Sequence, residues 1–125
     1  ISPRMMRDLV QLCDKRPGIF PILADARNVS ELSPFIQKKV DWLHQDLSIA
    51  DQAKTFIKVS ETFLKRGGVA LLSLKGASER NSEGDMKIRF QNAKTIIEDS
   101  RLKIIEIIDL KGLEEQHILF NCKFR

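Results

Sequence analysis

Residues 39–52, KVDWLHQDLSIADQ, permit few folds. Val40, Trp42 and Leu43 suit a pleated, half-buried strand, and Lys38 and Lys39 mark its exposed start. The strand pattern ends on Asp46, and after the short run 48–50 the pattern becomes helical. A carboxylate at the C-terminal tip of a buried strand, just before a helix, stands where open α/β sheets bind their ligands. Capping of the following helix is the competing job for such an aspartate. On this stretch alone the two readings stand level.

The rest of the chain repeats the alternation. Ser2-Pro3 reads as an N-cap followed by a first helical residue, and Met6, Leu9, Val10 and Cys13 continue at helical spacing, so 3–15 is an amphipathic helix. Pro17-Gly18 stops it. Residues 19–24, IFPILA, read as a short strand buried on both faces, with Pro21 placing it near an edge. Asp25-Ala26-Arg27 closes that strand, and a helical turn over 30–35 leads back to the pivotal strand. From Ala50 to Lys65 the residues Ala53, Phe56, Ile57, Ser60, Phe63 and Leu64 form a helical stripe, which Gly67-Gly68 terminates. Val69–Leu74 is the next strand and ends on Lys75. After a polar run, Ser82 with Asp85 caps a helix whose inner face is Met86, Phe90, Ala93 and Ile97. Leu102–Leu110 and His117–Phe124 finish the chain as an antiparallel pair. The predicted order, α-β-α-β-α-β-α-β-β, makes one α/β domain over 1–125, with a mostly parallel sheet and one antiparallel C-terminal strand.

Composition narrows the classes. The apolar fraction of 42% and charged fraction of 30% are those of a globular chain. No apolar run approaches the roughly 20 residues of a membrane span. Cys13 and Cys122 are far apart, without a CxxC pair, and read as buried free thiols in a reducing compartment; no metal site is expected. The net charge of +4 is concentrated in residues 65–103, where nine Lys/Arg face five Asp/Glu. Such a bias suits either a nucleic-acid contact or a solvated helix face. Ser48 has no histidine near it in sequence, so a hydrolase triad has no support.

Five blocks, SPRMMRDLV, PILADAR, VDWLHQDLSIADQA, FLKRGGVALLSLK and EEQHILF, together resemble the fibrillarin-like RNA 2′-O-methyltransferases, most closely the archaeal members. They come in the family's order and spacing. The resemblance implies a Rossmann-like S-adenosylmethionine-dependent methyltransferase fold. It also implies that the chain begins where the family's second strand ends. The N-terminal strands, the Gly-rich cofactor loop and the acidic residue that holds the cofactor ribose would then lie upstream of Ile1.

By the same resemblance, Asp46 and Lys75 are the catalytic pair, at the tips of neighbouring strands. Asp25 and Ala26 would meet the adenine, with Asp46 and Gln52 also cofactor-binding. Separately, the positive excess over 65–103 would let Lys75 and Arg80 approach RNA phosphates if the loop after Lys75 covers the active-site end of the sheet, with a solvated loop as the level alternative. His117 matches a position at the last hairpin, where a structural hydrogen bond is the simpler role. His44 reads as a packed or surface imidazole. The implied activity is 2′-O-methylation of ribose in rRNA, and in tRNA, directed by a box C/D guide RNA. A coiled-coil Nop-type scaffold and a kink-turn-binding protein would be partners. The implied setting is cytoplasmic for an archaeal protein, nucleolar for a eukaryotic one. Two departures bear on cofactor affinity: Ile49 replaces a family glutamine, and Gly76-Ala77-Ser78 replaces Ala-Arg-Ser. A non-catalytic module that binds scaffold or RNA without holding cofactor is therefore the alternative reading.

Overall fold

The computed structural model describes residues 2–125, which form two compact units that divide between Phe35 and Ile36. In the first unit, α1 spans Pro3–Lys15, and the Ser2 side chain accepts from the Met5 N–H at 3.4 Å. Gly18, at φ +89°, takes the left-handed turn that ends this segment. A short helix, α2, covers Val29–Leu32 behind an Asn28 cap.

Residues 19–24 form no strand, contrary to the sequence pattern. Apolar content raises strand propensity, but a strand exists only where its peptides find a ladder. Pro21 removes one donor, and no strand of the described residues pairs with this segment.

The second unit carries the sheet. Its elements are β1 (Val40–Asp46), α3 (Gln52–Phe63), β2 (Leu64–Lys75), a 3-10 turn (Gly76–Ser78), α4 (Met86–Glu98), β3 (Leu102–Asp109) and β4 (His117–Phe124). The strand order is β1-β2-β4-β3. β1 and β2 are parallel, joined through α3, and β4 runs antiparallel to both its neighbours. Three strands therefore share one direction and the C-terminal strand opposes them, which is the sheet the alternation predicts.

One face of that sheet is the core. Ala70, Leu72 and Leu74 of β2, Phe120 and Cys122 of β4 and Leu102 of β3 are buried there with Ala53 and Phe56 of α3 and Ala93 and Ile97 of α4. Each large side chain so buried contributes about 1.5–3 kcal/mol. α4 starts on Asp85, whose carboxylate accepts from the Ile88 N–H at 3.0 Å, while Ser82 instead accepts from Asn92 at 2.7 Å. The end of α3 is held from outside: the Lys39 ammonium donates to the carbonyls of Glu61 and Thr62, where a cation also complements the helix dipole.

Two boundaries differ from the sequence reading. α3 begins at Gln52, not Ala50, and β2 begins at Leu64, before the glycine pair rather than after it. The parallel register jumps from Val40↔Leu64 to Trp42↔Val69, so residues 65–68 bulge out of the ladder. Gly67 there has φ +78°, the conformation a bulge demands and glycine supplies.

Candidate active site

Asp46 is the last residue of β1 and is exposed. Helix α3 has Asp51, not Asp46, at its N-cap position, so the capping role is excluded for Asp46. Asp51 sits at φ 53° and makes no cap bond; its carboxylate is held below the usual range first by Asn81, at 2.8 Å, and then by Lys54.

Register assembles the rest. Asp46 is paired with Ser73 on the parallel neighbour β2. Lys75 lies two residues further along β2, hence on the same face of the pleat as Asp46. The carboxylate and the ammonium thus stand at adjacent strand tips on one side of the sheet, opposite the helix-packed core.

β4 adds a third group that the sequence reading assigned only a structural bond. His117 is directly across from Lys75 in the antiparallel register. Its Nδ1 lies 2.8 Å from the carbonyl of Glu115, an acceptor, so Nδ1 donates and Nε2 is left as the second functional nitrogen. The signal lay in strand pairing, which no local spacing reveals. His44 is on the same face and exposed, its Nε2 2.9 Å from Ser73 Oγ and its ring 5.9 Å from that of Trp42, a surface imidazole.

Gln52 is the first residue of α3. It is fully buried, and its amide is consumed by the protein: Nε2 donates to the Lys75 carbonyl at 2.9 Å and to Glu79 Oε1 at 2.7 Å, while Oε1 accepts from the Lys75 N–H at 3.0 Å. Both Nε2 protons are thereby used within the protein. Glu79, which the sequence reading did not single out, is buried and also accepts from the Gln52 N–H at 2.9 Å. It thereby serves the orphan amide at the start of α3, favourably placed for an anion.

Asp25 and Ala26 belong to the first unit. The Asp25 carboxylate is gripped by Arg27 through its Nε and Nη2, the latter at 2.6 Å, and this hydrogen bonding lowers its pKa to about 2. These are the oxygens the resemblance assigns to an adenine amine. Arg80 is exposed on the loop after the 3-10 turn. A cleft of about 410 Å³ lies between α3, α4 and that loop, with Glu79, Asn81 and Arg89 in its wall, but neither Asp46 nor Lys75 lines it.

The strand-tip set suits a cationic methyl donor beside a hydroxyl, because it offers an exposed anion and a cation on one face. Among the described residues no group of three or more His, Cys, Asp and Glu is arranged to hold a metal, and no helix is long and apolar enough to cross a membrane.

Comparison with known proteins supports the methyltransferase geometry. A fibrillarin-like rRNA/tRNA 2′-O-methyltransferase of Methanococcus voltae is 34% identical over 119 residues, covering 95% of this chain and 51% of its own length. The fibrillarin pre-rRNA processing protein of Methanococcus jannaschii superposes with a TM-score of 0.87 at 34% identity, over 98% of this chain and 53% of that one. Aeropyrum pernix fibrillarin, solved with natively bound S-adenosyl-L-methionine, gives 0.79 at 27% identity, over 98% and 52% respectively. The chain spans about half the length of the curated relatives it matches. The fibrillarin family model matches residues 1–125 throughout, so with its Rossmann-like methyltransferase sheet the chain belongs to the fibrillarin family.

Proposed function

We propose that this chain supplies the catalytic strand tips of an S-adenosylmethionine-dependent RNA 2′-O-methyltransferase acting on rRNA and tRNA. The observation that carries the reading is the register that sets Asp46 and Lys75 on one face at adjacent tips. Bound cofactor supplies a methyl group on a positively charged sulfur. The protein's part is to align the ribose hydroxyl and remove its proton. With that group bound, Asp46 would orient the 2′-hydroxyl and accept its proton. Lys75 eases the negative charge that develops on the oxygen. His117, across from Lys75, donates through Nδ1 to the Glu115 carbonyl, which leaves Nε2 as a third polar group. Holding these groups in line supplies up to about 7–11 kcal/mol of the barrier.

Lys75 and the exposed Arg80 place positive charge where RNA phosphates would lie, positioning substrate without reading its sequence. Sequence choice then falls to a box C/D guide RNA, with a coiled-coil Nop-type scaffold and a kink-turn-binding protein as partners, as family membership supports. In the assembled enzyme, Asp46→Ala and Lys75→Ala are each expected to slow methyl transfer by about 100-fold or more while RNA docking persists. Wild-type turnover in either folded variant would sink the assignment.

The pairing of Asp25 with Arg27, and the internal commitment of Gln52, favour a second reading: a fibrillarin-like module that binds RNA or scaffold without cofactor. Calorimetric titration with S-adenosylmethionine separates the two, since only the enzyme binds it.

A further inference from the structure

β1 stops at Asp46, whose partner is Ser73, so Lys75 projects beyond the end of its parallel neighbour. A peptide at that position has lost the strand that would satisfy it on this side. Gln52 takes the strand's place. Its carboxamide both donates to the Lys75 carbonyl and accepts from the Lys75 N–H, at 2.9 and 3.0 Å, the bonds a neighbouring peptide would make. On the other side Lys75 faces His117 of β4.

The amide is held in one orientation. A carboxylate only accepts hydrogen bonds, so Glu79 Oε1, 2.7 Å from Gln52 Nε2, turns the amine toward itself and the oxygen toward the Lys75 N–H. The same oxygen accepts from the Gln52 N–H and pins the first turn of α3. From the other strand, Gln45 Nε2 donates to the Gln52 carbonyl at 3.0 Å, and Gln45 immediately precedes Asp46. One buried residue therefore grips the main chain of Lys75 and the strand that ends on Asp46.

We propose that Gln52, braced by Glu79, is a positioning residue that fixes Lys75 relative to Asp46. Gln52 is fully buried, so it acts through those two residues rather than on substrate. The inference rests on the proposed methyl transfer at these strand tips.

Steady-state methylation by the assembled enzyme tests it in a double-mutant cycle of Gln52→Ala and Lys75→Ala. Misplacing a reacting group by about 1 Å costs on the order of 100-fold. Gln52→Ala is therefore expected to lower kcat by about that factor and leave KM for RNA within about twofold. In the Lys75→Ala background the same change should cost no more than about twofold, because the group it positions is gone. An equal loss in both backgrounds would overturn the proposal, as would a loss confined to KM. Unimpaired turnover in Lys75→Ala alone would instead sink the underlying reaction assignment, which keeps the two failures apart. Should Gln52→Ala not fold, Glu79 gives the second route. Glu79→Ala lets the Gln52 amide rotate and should lower kcat, and Glu79→Gln, which keeps an acceptor, should recover most of that loss. Equal activity of the two Glu79 variants would count against the clamp.

Discussion

At the scale of single residues, burial decides what a side chain can do. Cys13 and Cys122 read alike in the sequence, as buried free thiols, and the structure bears out the burial for Cys122 alone. Cys122 packs in the core between Ala70 and Ile104 at no measurable exposure, and desolvation pushes its pKa up to about 12, whereas Cys13 is partly exposed. The folded pKa lies above the reference value of 9.0, so the neutral thiol's contribution to stability is complete below that pH and is lost as pH rises through about 12. Since the thiolate is the nucleophile, iodoacetamide at pH 8 should label Cys13 in the native protein and Cys122 only after denaturant is added. Mass spectrometry of the labelled peptides checks this, and rapid native labelling of Cys122 would contradict the buried position. The same contrast explains what was legible in the site. Asp46 is visible as a carboxylate closing a strand pattern, whereas Lys75 is singled out by the family resemblance. Gln52 was found by its place in a motif, but its partners, Glu79 and the Lys75 backbone, are 23 to 27 positions away, and no spacing rule connects them. His117 was likewise visible as a residue and invisible as a neighbour of Lys75.

At the scale of elements, helices were the most readable because their signal is local. The 3.6-residue stripe and the Ser2 and Asp85 caps placed α1 and α4 closely. Strands depend on partners, and there the reading slipped twice. Residues 19–24 have the apolar content of a strand but no ladder. The Gly67-Gly68 pair was read as a helix stop when it is a bulge inside β2. That bulge makes a sharp demand at Gly68: a Cβ there would lie 2.8 Å from Leu64 Cδ1 and 2.9 Å from the Lys65 carbonyl oxygen. The Leu64 methyl can turn aside, but the backbone oxygen cannot without distorting the bulge. Gly68→Ala is therefore expected to destabilise the protein by about 1–3 kcal/mol, the usual range for forced overpacking. Urea denaturation reads this as a lower midpoint at unchanged slope. The bulge is at the far end of β2 from Lys75, so turnover per folded molecule should hold. A variant as stable as the parent would show that residues 65–68 relax freely.

At the scale of the whole molecule, the balance between buried and exposed apolar surface sets the behaviour of the 125-residue polypeptide on its own. The second unit builds a continuous core on one sheet face. The first unit buries no residue of α1, and Phe20, Leu23 and Phe35 are 82%, 64% and 65% exposed. In the second unit Trp42 is 57% exposed on β1, which is an edge strand of the sheet among the described residues. An edge strand offers unpaired N–H and C=O groups to any other strand, and aromatic surface beside it adds a hydrophobic gain to that pairing. Lys38 and Lys39 guard only the start of β1, and Lys39 is drawn away to the end of α3. The net charge of +4 is too small to keep such surfaces apart by repulsion at physiological salt, where screening acts within about 8 Å. The isolated polypeptide should therefore associate. Light scattering coupled to gel filtration should give masses above the 14.3 kDa of one chain, rising with concentration. Trp42→Lys, which places a charge on the open edge, should shift the distribution toward monomer without altering the core. A monodisperse monomer with a sharp, cooperative melt would overturn this prediction, because it would mean that the exposed aromatics and the β1 edge carry no attraction strong enough to matter.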